Sequence, residues 1–243
     1  MGGRKPDLRV FPESREAAEQ CAIFIANELQ SRISEKGVTR LAVSGGTTPK
    51  PMFQALAKAP LDWSKVHVFF VDERCVPPTS DQSNFKMAKE NLLSGAPLLE
   101  SNVHRIHGEL NPDEAAGKYI NEVKGHFELS DGALPVFDVL HRGMGSDAHT
   151  ASLFPGEPLI ADRTGIAAHV WVDKLKMDRV TLLPGVLLKA VRTVLEISGP
   201  DKAEPLHEVL YGPDDPFRFP CQIAARGSDT AVWFLDQAAA AKI

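Results

Sequence analysis

Short, unbroken apolar runs recur along the chain, and most are followed by a segment with helical spacing. LRVF (8–11) precedes SREAAEQCAIFIANELQSRISEKG (14–37), whose apolar residues fall three and four apart and which stops at Gly37. TRLAVS (39–44) precedes KPMFQALAKA (50–59), and VHVFFVDER (66–74) precedes NFKMAKENLLS (84–94). VHRIHGE (103–109) precedes NPDEAAGKYINEVKGHFEL (111–129), which opens on a helix-starting Asn-Pro-Asp-Glu. VFDVLH, AAHVWV, RVTLL, TVLEIS and AVWFLD read as further strands, and PLHEVLYG as a last helix with a glycine stop. Strand–helix alternation predicts an α/β fold: a mainly parallel sheet with helices on both faces, Rossmann-like. With no internal repeat, low-complexity stretch or linker, residues 1–243 are expected to form a single domain.

Several function classes are excluded early. A net charge of −5 leaves no basic stripe for nucleic acid. No run of about 18 apolar residues is present to span a membrane, and MGGRKPDLRVFPES lacks the apolar core of a signal peptide. Cys21, Cys75 and Cys221 are widely spaced, with no C-x-x-C, so neither a disulfide framework nor a zinc site is expected. The expected compartment is the cytoplasm. No His/carboxylate set has metal-ligand spacing, and histidines 67, 104, 107, 126, 141, 169 and 207 are read as structural.

Ligands of open α/β sheets gather beyond the carboxyl ends of the strands, so the loops after strands carry the information. SGGTTPK (44–50) is glycine-rich and precedes a helix. It reads equally as an anion cradle, with Gly45 and Gly46 exposing backbone N–H groups and Ser44, Thr47 and Thr48 adding hydroxyls, or as a plain tight turn. Asp72, Glu73 and Arg74 read alone as a solvated strand end; opening on the same edge, Arg74 could grip a phosphate. GMGSDAHTASLFPG (143–156) satisfies a G-x-G-x-x-[GA] pattern, but a dinucleotide turn needs neither Asp147 nor His149. His149 is the best candidate general base, and Asp147 could orient it. Lys174 and Arg179 in DKLKMDR read as a solvated charge cluster or as further phosphate ligands.

At these residues the chain resembles the 6-phosphogluconolactonase family, related in fold to glucosamine-6-phosphate deaminase, from about Val10 to Asp236. SGGTTPKPMF resembles the family's SGG[ST]TP loop and VHVFFVDERCVPPTSDQSN its DER segment. GMGSDAHTASLFPG resembles its GMGxDGHTASLFPG signature, and DKLKMDRVTLLP its lysine loop. The resemblance implies hydrolysis of 6-phospho-D-glucono-1,5-lactone to 6-phosphogluconate in the oxidative pentose phosphate pathway. It implies His149 as base on water, supported by Asp147. Ser44, Gly45, Gly46, Thr47, Thr48, Asp72, Arg74, Lys174 and Arg179 would hold the phosphate and carbonyl end. No cofactor or metal is expected, and the protein would be a monomer or small homo-oligomer. Ala148 stands where the family has Gly, which predicts strain if φ is positive there and a methyl that could narrow the site. His141 and Arg142 replace an apolar strand end and are read as a structural pair. RVTLLPG is one residue shorter than the common form. The rivals are a sugar-phosphate isomerase/deaminase, disfavoured by Thr150-Ala-Ser-Leu-Phe-Pro155 where an Asn-Glu-Pro type sequence is expected, and a non-catalytic sugar-phosphate sensor, disfavoured because no chain remains for an effector domain.

Overall fold

The computed structural model describes residues 6–227 and 230–243. Its centre is a seven-stranded parallel sheet. The strands are β1 (Asp7–Phe11), β2 (Thr39–Val43), β3 (Val66–Phe70), β5 (Val103–His104), β6 (Val139–Arg142), β9 (Arg192–Ile197) and β10 (Ala231–Asp236), in the order β1-β10-β9-β6-β2-β3-β5. A second, antiparallel sheet runs β4 (Asp72–Arg74), β8 (Met177–Leu182), β7 (Ala167–Val172). The helices are α1 (Ser14–Lys36), α2 (Lys50–Leu56), α3 (Asn84–Ala88), α4 (Pro112–His126), α5 (Pro184–Leu187), α6 (Ala203–Tyr211) and α7 (Gln222–Gly227).

Both faces of the parallel sheet are covered, which is why its inner strands carry apolar runs such as Leu41-Ala-Val43, Val68-Phe-Phe70 and Val232-Trp-Phe-Leu235 rather than a strict alternation. In β10, Val232 and Phe234 join the large core with Ile25, Phe53 and Phe69, while Trp233 and Leu235 point the other way, into a cluster with Leu206, Val209 and Cys221. Local chemistry sets the helix ends as expected. Gly37 adopts a left-handed φ of 75° and donates its N–H to the Ile33 carbonyl, closing α1. Asn111 caps α4 by accepting from the Asp113 N–H, with Pro112 in the first turn.

The run VHVFFVDER, expected as one strand, is two. Val71 donates its N–H to Val43 in the large sheet and accepts from Leu182 in the small one, each at 2.8 Å, so the backbone changes sheets at one residue. VHRIHGE is strand only at Val103–His104. Beyond it the chain leaves the sheet, and Gly108 lies so close to the 74–76 backbone that a Cβ there would stand 2.3 Å from the Arg74 carbonyl oxygen. AAHVWV and RVTLL form an antiparallel hairpin outside the parallel sheet.

β2 and β6 are central neighbours whose connections leave in opposite directions, β2 toward β3 and β6 by way of the small sheet toward β9. That is the switch point at which a crevice opens past the strand ends. The loops after β2 and β6 are tied there, Ser44 N donating to His141 O at 3.1 Å.

Candidate active site

A cavity of about 200 Å³ opens at this switch point. It is lined by Ser44, Gly45, Gly46, Thr47, Thr48, Asp72, Arg74, His149 and Arg179, thus by nine of the eleven residues singled out in the sequence. Four segments far apart in the chain converge because β2, β4, β6 and β8 all point an end or an edge at the same crevice.

The His149 ring is fixed on two sides. Its Nδ1 lies 2.6 Å from Asp147 Oδ1, and its face stacks on Phe154 at 4.1 Å between centroids, with the planes 22° apart. Asp147 also accepts from the His149 N–H and from Lys174 Nζ, at 3.2 and 2.9 Å. Burial would raise the Asp147 carboxyl, but the bonds from His149 and Lys174 outweigh it and hold it well below the usual carboxylate range. Asp147 is therefore an ionised acceptor, which favours the imidazole tautomer with its proton on Nδ1 and its lone pair on Nε2. Gly145 makes room for this pair: a Cβ there would lie 2.0 Å from His149 Nδ1 and 2.7 Å from Asp147 Oδ1.

Lys174 does not line the cavity. It sits on the outer side of Asp147 with its side chain 65% exposed. The short 3-10 turn Asp173–Leu175 carries it at the tip of the β7–β8 hairpin, where it reaches the far oxygen of the carboxylate.

In the same cavity, Arg74 and Arg179 are direct cross-strand partners on β4 and β8. Like charges facing each other across a ladder repel. Asp72 offsets part of this, its Oδ2 standing 3.9 Å from Arg179 Nη1 and accepting from Ser152 Oγ at 2.7 Å. The Arg74 head is partly used, donating to the Gln82 carbonyl. The Nε atoms of both arginines are buried and have no hydrogen-bond partner among the described residues. Both arginines line the cavity, and a pair of neighbouring guanidiniums is chemistry suited to an anion.

Glu73 belongs to the fold rather than to solvent. It is 2% exposed and accepts from Arg74 N, Ser83 Oγ, Asn84 N and Phe85 N, pinning the start of α3 beneath the loop. Asn84 then donates to the Asp72 carbonyl at 2.9 Å and packs so tightly on Gly45 that a Cβ there would fall 1.8 Å from Asn84 Oδ1. Gly45 is thus required by space, and Gly46 by its φ of 111°.

His141 and Arg142 are not a pair. Successive strand residues face opposite sides of the sheet. His141 lines the cavity floor with Glu196, their Nε2 and Oε2 being 3.5 Å apart and both residues nearly fully buried. Burial pushes the Glu196 carboxyl up, against the pull of His141. Arg142 is fully buried, and burial pushes its guanidinium down to about 10. Sequence reading also missed Lys202. It lines the cavity from the turn after β9 while pairing with Asp201 at 2.9 Å. Its position two residues after Gly199-Pro200 is a strand-end loop signal of the same kind as the other four.

Ala148 has a φ of 61°, as its place in the signature predicts, but its methyl faces the small core beside Met144 and Cys221, not the cavity. Relief of left-handed strain would favour Ala148→Gly by about 1–2 kcal/mol. Loss of a buried methyl opposes it by about 0.8 kcal/mol, and the freer unfolded chain by about 0.4–1 kcal/mol. The terms nearly cancel, so urea unfolding of Ala148→Gly is expected within about 1 kcal/mol of the wild type. A larger change in either direction would show that one of these terms is misjudged.

Known proteins place this architecture. Residues 12–233 match the family described as glucosamine-6-phosphate isomerases/6-phosphogluconolactonase. A 6-phosphogluconolactonase of Synechocystis sp. is 32% identical over 96% of this chain and 97% of its own length. One from Pseudomonas aeruginosa is 34% identical over 93% and 94%. The crystal structure of 6-phosphogluconolactonase from Thermotoga maritima superposes with a TM-score of 0.83 at 30% identity, over 96% of this chain and all of that one. A monomeric glucosamine-6-phosphate deaminase shares the fold, with a TM-score of 0.81 at 17% identity over 98% of this chain and 100% of that one. By the family match over residues 12–233 and by relatives of 30% identity or more along nearly their whole length, the chain belongs to the glucosamine-6-phosphate isomerase/6-phosphogluconolactonase family.

Proposed function

We propose that the protein hydrolyses 6-phospho-D-glucono-1,5-lactone to 6-phospho-D-gluconate, the lactone step of the oxidative pentose phosphate pathway. One observation carries the reading: an imidazole with its basic nitrogen free faces the same small cavity as a paired-arginine anion receptor. The phosphate sits between Arg74, Arg179 and the Ser44–Thr48 loop, which places the lactone carbonyl toward His149. The His149 Nε2 takes a proton from water as the oxygen attacks the carbonyl. The ring C–O bond then breaks, and the proton returns from His149 to the departing ring oxygen. Asp147 stabilises the transient imidazolium, and Lys174 keeps Asp147 ionised from outside. Backbone N–H groups of the loops stabilise the oxyanion.

The test is ring opening of lactone generated in situ, measured against the spontaneous background, with glucosamine 6-phosphate as the rival substrate. Turnover of the lactone supports the reading. Turnover of the amino sugar alone would replace it with the deaminase, and binding without turnover with the sensor.

Arg179→Met is expected to raise KM by tenfold or more with kcat within a few-fold, since one charge-assisted hydrogen bond is worth about 1.5–3 kcal/mol. Arg74→Met should raise KM in the same direction; both heads are partly committed, Arg74 to the Gln82 carbonyl and Arg179 to Ser152 Oγ. Unchanged KM in both variants would remove the arginine pair from the phosphate site.

A further inference from the structure

We propose that His67, His104 and His126 form a binding site for one divalent transition-metal ion of the zinc type, outside the candidate active site. The three come from β3, β5 and α4, and one nitrogen from each lies within 4.8 Å of the other two. Sequence separations of 37 and 22 residues hide the set from any spacing rule. His67 is the second residue of β3, His104 the last of β5 and His126 the last of α4, and none of the three lines the cavity at the crevice.

The geometry around His104 is that of a ligand already aimed. Its Nδ1 lies 2.6 Å from Glu122 Oε1, which leaves Nε2 facing the cluster, 2.9 Å from His67 Nδ1. A carboxylate behind an imidazole is the usual outer support of a metal-bound histidine, fixing its tautomer and raising its basicity. Ligand nitrogens about 2.0–2.1 Å from a tetrahedral ion stand roughly 3.4 Å apart, within reach by small ring movements. His67 then carries its proton on Nε2 and turns its Nδ1 lone pair to the ion. An all-imidazole donor set suits zinc, nickel or cobalt and not magnesium or calcium. Phe69 stacks on His104 at 4.2 Å, giving the site an apolar wall. His104 and Glu122 also line an open groove, which supplies an entry path.

Arg40 opposes the ion. Its Nε donates to His126 Nε2 at 3.2 Å while its guanidinium covers the Phe127 ring at 4.9 Å. This cation must swing away, or His126 must use its other nitrogen. A site built on these residues therefore binds more tightly when a neutral residue replaces Arg40, whereas a plain stacked aromatic cluster has no reason to bind metal at all.

The experiment uses the untagged full chain, stripped with chelator and titrated separately with Co²⁺ and Zn²⁺. The expected result is one ion per chain, visible cobalt absorption from nitrogen ligands, and a melting temperature that rises with Zn²⁺. His67→Ala and His126→Ala should each weaken binding at least tenfold, and Glu122→Gln by about tenfold. Arg40→Met should tighten it, a change of sign that misfolding cannot mimic. Lactone turnover should be the same in these variants as in the wild type. Binding no tighter in the wild type than in the His67→Ala/His126→Ala double variant, or no tighter in Arg40→Met, would overturn the site. So would binding that is lost in Asp147→Asn instead, since the ion would then lie at the crevice.

Discussion

His149→Ala is expected to lower kcat for lactone hydrolysis by about 10²–10⁴-fold, the usual contribution of a positioned general base. The direction follows from hydrogen bonding. An Asp147 carboxylate accepting at Nδ1 favours the tautomer whose Nε2 lone pair can take a proton from water in the cavity. In the proposed reading the phosphate is held by Arg74, Arg179 and the Ser44–Thr48 loop and not by His149, so KM should change far less than kcat. Asp147→Asn should also lower kcat, because an amide can present its own N–H to Nδ1 and stabilises the imidazolium less. A His149→Ala enzyme that keeps its turnover would leave the reaction in place and move the base elsewhere. His141, on the cavity floor beside Glu196, is then the residue to replace next.

The parts of this site that could be read in the sequence are those written contiguously. Asp147 and His149 are two residues apart, and Ser44 to Thr48 follow an apolar run directly, so strand-then-loop logic finds them. What escaped reading depends on contacts across the fold. Nothing local in VHVFFVDER marks Val71 as the residue that bonds one sheet with its N–H and another with its carbonyl. An isolated Asp-Glu-Arg looks solvated. Only the return of residues 83–85 supplies the donors that bury Glu73. The hairpin that carries Lys174 turns it onto Asp147 rather than into the cavity, a matter of strand register and not of residue type. The two-faced parallel sheet was legible because its strands are apolar on both sides. The small antiparallel sheet was not, because AAHVWV and RVTLL look like further parallel strands until their pairing is known.

Gly145→Ala is expected to lower kcat by about a hundredfold while the fold is kept. The effect is one of space, not of backbone strain, since Gly145 is not among the residues with a left-handed φ. An added Cβ would sit 2.0 Å from His149 Nδ1, 2.2 Å from His149 Cε1 and 2.7 Å from Asp147 Oδ1. Contacts that short cannot exist, so the ring or the carboxylate must move. Both can move outward, their side chains being 28% and 23% exposed, and this is why stability should change little. Catalysis has no such tolerance: displacement of a reacting group by about 1 Å can cost 10²-fold. The substitution therefore separates the position of the base from its presence, which His149→Ala cannot do. Circular dichroism and thermal melting close to the wild type, with kcat reduced and KM nearly constant, is the expected pattern. Full activity in a folded Gly145→Ala protein would mean that the 2.6 Å contact between His149 and Asp147 is not the geometry in which the lactone is opened.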